Sequence, residues 1–140
     1  MGKKEIIIFM LSLSLTCVLI SGCVNQANDI GVNRQIGDTR IYCTVNNVNS
    51  AVVENNSYYL VNVTLQNNSP EGLTFTAQDF TLSDIPTDNQ DVNITLGPNS
   101  SMEYSFYFQK DPINIGHYYL FGCHDPVDIQ QSANFNLKLD

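Results

Sequence analysis

The chain has 140 residues and a net charge of −8, with 10% aromatic residues, four cysteines and no tryptophan. Setting aside Lys3, Lys4 and Glu5, four cations remain (Arg34, Arg40, Lys110 and Lys138) against thirteen carboxylates, a net charge of −9. A surface so acidic repels nucleic acid and anionic lipid heads, which argues against a nucleic-acid partner. The length beyond residue 22 suits one domain with a modest core.

Lys3 and Lys4 form a basic head, and Ile6 to Ile20 is an apolar run broken only by Ser12, Ser14 and Thr16. Leu19-Ile20-Ser21-Gly22-Cys23 follows, with small residues leading into a cysteine. A charged head, an apolar segment and a small-residue cleavage site mark an export signal. This junction resembles the lipobox of prokaryotic lipoproteins, in which the cysteine is acylated and the residues before it are removed. The expectation is a signal over 1–22, a lipid anchor on Cys23, and a domain held at the cell membrane on its extracytoplasmic side. The run of about 17 residues also meets the lower limit for an uncleaved membrane helix.

Val24 to Gly37 is polar and without periodicity, and reads as a tether, so that the tether spans 23–37 and the domain 38–140. Val, Ile, Thr, Tyr and Phe dominate the domain and helix formers are sparse, which favours strands. Arg40 to Val48 alternates, with Ile41, Cys43 and Val45 on one face. A connection rich in turn formers follows from Asn47 to Asn56, into which Ala51-Val52-Val53 extends the first strand. Ser57 to Asn67 is the clearest strand, with Tyr59, Val61, Val63 and Leu65 on one face and Asn62, Thr64 and Gln66 on the other. Short strands follow at Leu73–Thr76 and Phe80–Leu82. A polar loop then carries Asp84, Asp88 and Asp91, without the ligand spacing or glycine of a calcium loop. Val92, Ile94 and Leu96 alternate into a turn at Gly97-Pro98-Asn99. Met102, Tyr104, Phe106 and Phe108 define an inward row, and further strands are expected at 117–122 and 133–139. Seven or eight short strands with close turns predict an all-β, antiparallel β-sandwich.

Three segments carry a family likeness: Tyr58-Tyr59-Leu60-Val61-Asn62-Val63-Thr64-Leu65-Gln66-Asn67-Asn68, then Gln78-Asp79-Phe80-Thr81-Leu82-Ser83-Asp84, then Leu96-Gly97-Pro98-Asn99-Ser100 leading to Tyr104-Ser105-Phe106-Tyr107-Phe108. Their order resembles the telokin-like, immunoglobulin-like domain of prokaryotic surface lipoproteins, over about residues 38–122. The resemblance implies an immunoglobulin-like sandwich at the cell surface and carries over no catalytic residue. Asn99 stands where that family has glycine, and asparagine tolerates the left-handed turn.

Cys17 leaves with the signal and Cys23 takes the lipid, so Cys43 and Cys123 remain, an even pair in an exported chain and the expected disulfide. The competing use of Cys123 is a metal or redox site with His117 or His124. A blue-copper site needs two histidines, a cysteine and usually an axial methionine; here both histidines lie in one segment, and Cys123 directly precedes His124. No nucleophile motif or phosphate loop is present, so neither enzyme activity nor a cofactor is expected. N-glycan acceptor sequons begin at Asn55, Asn62, Asn67, Asn93 and Asn99. The leading expectation is a non-enzymatic binding or envelope-structural domain, with membrane lipid as its anchor and an unidentified protein or envelope component as its partner. The alternative is an exported metal-binding or redox protein.

Overall fold

A computed structural model of the chain describes residues 28–110 and 118–139. The expected signal, Cys23 and His117 lie outside them. Ten strands follow in order: β1 (Asn33–Gln35), β2 (Ile41–Val53), β3 (Asn56–Asn67), β4 (Leu73–Thr76), β5 (Phe80–Leu82), β6 (Ile85–Pro86), β7 (Asn93–Leu96), β8 (Ser100–Gln109), β9 (Tyr118–His124) and β10 (Ser132–Lys138). One sheet runs β1-β2-β3-β8, the second β10-β9-β5-β6, and β4 pairs with β7 as a separate ribbon. Every pairing is antiparallel. The all-β sandwich expected from period two is therefore present, with ten strands rather than seven or eight.

Alternation dictates the layers. On β3, Tyr59, Val61, Val63 and Leu65 are buried while Leu60, Asn62, Thr64 and Gln66 are half-buried on the other face. The two sheets meet through aromatic rings. Phe106 of β8 stacks on Phe80 of β5 with centroids 4.0 Å apart, and Phe121 of β9 lies 6.1 Å from both Phe108 and Phe135. Among the described residues six phenylalanines are fully buried, so the core is aromatic although it contains no tryptophan.

The inward row of β8 is shorter than its alternation suggested. Phe106 and Phe108 are buried, Tyr104 is half-buried and Met102 is exposed. β5 has only three residues, and its Phe80 meets β8 at Phe106, in the strand's second half.

Residues 29–37, expected in the tether, belong to the domain. β1 pairs with β2 through Arg34 and Cys43, and Ile36 is fully buried. Asp29 donates its backbone N–H to Asn136 O and accepts the Asn136 N–H on Oδ2, both at 2.8 Å. Arg34 holds the same carboxylate at 3.3 Å and lays its guanidinium over Phe135. A three-residue strand in a polar stretch has no readable periodicity, so β1 reads as tether in the sequence. The same limit explains β6.

β2 and β3 form a long hairpin: Ala51-Val52-Val53 does extend the first strand, and the expected connection shrinks to the turn at Glu54 and Asn55. A register shift between Val45 and Asn47 interrupts the alternation, and pairing then continues to Val53 opposite Asn56. Glu54 and Asn55 both have positive φ, 50° and 68°, the signature of a two-residue hairpin turn. Asn99 has φ 51°, as its turn position required.

Side chains block the exposed edges. Asn89 Oδ1 accepts the Tyr107 N–H at 2.7 Å and Asp88 Oδ2 that of Gln109 at 2.6 Å, covering β8 where another chain would otherwise add a strand. Asn67 is fully buried. Its Nδ2 donates to the carbonyls of Glu71, Gly97 and Leu96 at 2.8, 3.0 and 3.3 Å, and its Oδ1 accepts the Ser69 N–H at 3.0 Å. Asn67→Ala strands these groups in the interior and is expected to cost about 1–3 kcal/mol in urea unfolding. Asn93→Ala, on an exposed site, is the control.

Candidate functional site

The structure brings together two of the residues singled out by the cysteine count. Cys43 lies on β2 of the first sheet and Cys123 on β9 of the second; both are fully buried free thiols. Both lie in the core between the facing sheets, near enough for each to bear on the other's ionisation. Burial pushes the Cys123 thiol well above its ordinary range, and Cys43 and the nearby carboxylates of Asp79 and Asp125 add to this. Burial of this kind disfavours the thiolate, the form that acts as nucleophile.

Cys123 and His124 are adjacent on β9. Successive side chains of a strand point to opposite faces, and here Cys123 points into the core while His124 lies on the outer face. Both of its ring nitrogens have protein partners. Nδ1 lies 3.1 Å from Ile129 O, and because a carbonyl only accepts, Nδ1 carries the proton. Nε2 is then an acceptor, and the Thr81 hydroxyl 3.4 Å away is its donor. The histidine ties β5 and the 125–131 loop to β9. A Cβ on Gly122 would meet Thr81 Oγ1 at 2.9 Å and His124 Nε2 at 3.0 Å, so only glycine leaves room for this contact. Of the pairings raised by the sequence, Cys123 and His124 thus face opposite sides of β9, and His117 lies outside the described residues.

Asp79 and Asp125 are buried close to this region. Burial raises the Asp79 carboxyl above its ordinary value, against the hydrogen bond it accepts from the Thr76 N–H at 2.8 Å. Asp125 Oδ1 accepts the Val127 N–H. Each carboxylate thus shapes a turn. Among the described residues no three Asp, Glu, His or Cys side chains converge as a metal site. Asp84 and Asp91 are exposed, and Asp88 is engaged with β8.

The five sequons divide by environment. Asn55, Asn93 and Asn99 are exposed. Asn62, expected to be accessible on its outward face, has its amide bonded to both Asn47 and Ser105. Asn67 is excluded by burial and by its four hydrogen bonds.

Exposed apolar groups gather at the two ends of the sandwich. At one end the β2–β3 hairpin carries Val52 and Val53, 72% and 46% exposed. At the other the β9–β10 loop carries Val127 and Ile129, 86% and 56% exposed. Val-Val-Glu-Asn-Asn holds a hairpin signal in its turn-forming asparagine between strand residues.

These features define an antiparallel β-sandwich protein with a buried inter-sheet thiol pair. The same fold occurs in two solved structures from Bacillus subtilis. A lipoprotein candidate, ycdA of strain 168, is 17% identical with a TM-score of 0.58; the match covers 81% of this chain and 39% of that one. The yjhA protein is 16% identical with a TM-score of 0.55, over 81% of this chain and all of its own. The chain spans about two fifths of ycdA. At such identity the likeness concerns fold alone. No family model and no curated protein matches the chain. No helix among the described residues is long and apolar enough to cross a membrane.

Proposed function

We propose that this chain is an exported lipoprotein, anchored through diacylglyceryl-modified Cys23, whose sandwich is a non-enzymatic binding module of the telokin-like, immunoglobulin-like kind. The observation that carries the reading is the position of Cys23. It ends a basic, apolar and small-residue leader and stands five residues before Asn28, where the described domain begins. Two acyl chains give durable anchoring where one does not. The fold shared with a lipoprotein candidate agrees with this assignment. The engaged ring of His124 and the buried Cys123 thiol favour a binding role over a redox or metal-dependent one. The β9–β10 loop, with Val127 and Ile129 exposed, is the surface offered to a partner.

Cys23→Ala tests the anchor. The variant is expected to accumulate as unprocessed precursor and to take up no labelled fatty acid. Normal processing, with detergent partition equal to the parent's, refutes the assignment.

A further inference from the structure

The chain enters the sandwich at a distinctive end. Lys138 donates its backbone N–H to Asn28 Oδ1, and an open cleft of about 420 Å³ lies between the entering segment and the hairpin, lined by Asn28, Ile30, Val48, Ser50, Tyr59 and Lys138. Lys110 borders it, donating Nζ–H to Ser50 Oγ at 3.0 Å and lying 4.8 Å from the Tyr59 ring centroid. Beyond Ser50, β2 continues for three residues to Val53, so the hairpin tip projects about 10 Å past the cleft. Both lysines that remain after residue 22 are therefore at this end, beside two exposed valines. Arg34 is committed to Asp29, and Arg40 precedes β2 at the opposite end.

Four residues separate Asn28 from Cys23, and the five Cα steps reach at most about 18 Å. If Cys23 is in the bilayer, this end of the sandwich is the one facing it. We propose that this end is a lipid-contact face, an inference that rests on the lipid-anchor reading of Cys23. Val52 and Val53 enter the boundary between headgroups and acyl chains, while Lys110 and Lys138 take lipid phosphates at the cleft. Glu54, at the turn, stays in headgroup water and keeps the contact shallow. Asp111 and Asp140, next in sequence to the region of the lysines, lie outside the described residues. A net acidic domain gains no general attraction to such a membrane, so contact depends on the anchor, which raises the local concentration of lipid at this one face. The opposite end, with Val127 and Ile129, is thereby held toward solvent.

The chain has no tryptophan, so a single introduced one is an unambiguous reporter. The full chain carrying Val52→Trp or Val127→Trp is expressed with its leader, extracted, and reconstituted into vesicles of phosphatidylcholine and phosphatidylglycerol. Both valines are exposed, so the intrinsic membrane preference of tryptophan is common to the two variants. Intact mass first establishes whether Cys23 is acylated. Brominated lipid is expected to quench the reporter at 52 at least about threefold more than the one at 127. Adding Lys110→Glu and Lys138→Glu is expected to reduce that quenching about twofold with the protein still anchored. An acylated protein whose two reporters are quenched equally by brominated lipid overturns the lipid-contact face alone. Absence of the acyl group overturns the anchor and this inference with it.

Discussion

Phe106→Ala is expected to destabilise the domain by about 3–5 kcal/mol, which is enough to unfold many domains of this size. Phe106 is fully buried, stacks on Phe80 at 4.0 Å, and lies 5.0 Å from Tyr104 and 6.5 Å from Phe121. It belongs to one sheet while Phe80 and Phe121 belong to the other, so its removal opens a cavity between the layers. The cost exceeds simple transfer, because strands held by ladder hydrogen bonds collapse only partly into the space. Met102→Ala, on the same alternating row but 37% exposed, is expected to cost less than about 1 kcal/mol. Urea unfolding of the two variants measures both values. Equal costs would place Phe106 outside the core.

The second large effect concerns Cys43 and Cys123. In an oxidising compartment the two thiols are expected to join, losing two protons and two electrons to an exported thiol oxidant. Both are fully buried, so the bond must form before the sheets close over them. It would span a loop of about 80 residues, for which chain entropy sets a ceiling of about 4.5 kcal/mol and common practice about 2–4 kcal/mol. Reduction is then expected to lower the unfolding temperature by roughly 10–20 °C, releasing no metal. Mass spectrometry of unreduced peptides should find the two cysteines linked. Two alkylatable thiols in the unreduced, unfolded protein from its own compartment would contradict the bond.

Period two was enough to read the long strands, because β3 and the second half of β8 pack one face and expose the other. It also placed Phe106 and Phe108 in the core. It failed where packing is one-sided or brief. Met102 alternates with Phe106 yet is 37% exposed, and β1 and β6 are too short to show a period. The register shift after Val45 obscured the middle of β2, since one extra residue reverses which side chains face inward. The juxtaposition of Cys43 and Cys123 could be anticipated from their number, but their placement on facing sheets depended on strand order, which spacing does not reveal. The separation of Cys123 from His124 follows from strand alternation alone once β9 is recognised. The lysine-bordered cleft was not legible, because Lys110, Lys138, Ser50 and Asn28 are brought together only by the topology.

Membrane anchoring through Cys23 is tested most directly by the intact mass of the protein extracted from the membranes of its own cells. The expected chain begins at Cys23, carries a diacylglyceryl group on that sulfur, and has lost residues 1–22. A chain that retains those residues, or one that begins elsewhere with Cys23 unmodified, would contradict it.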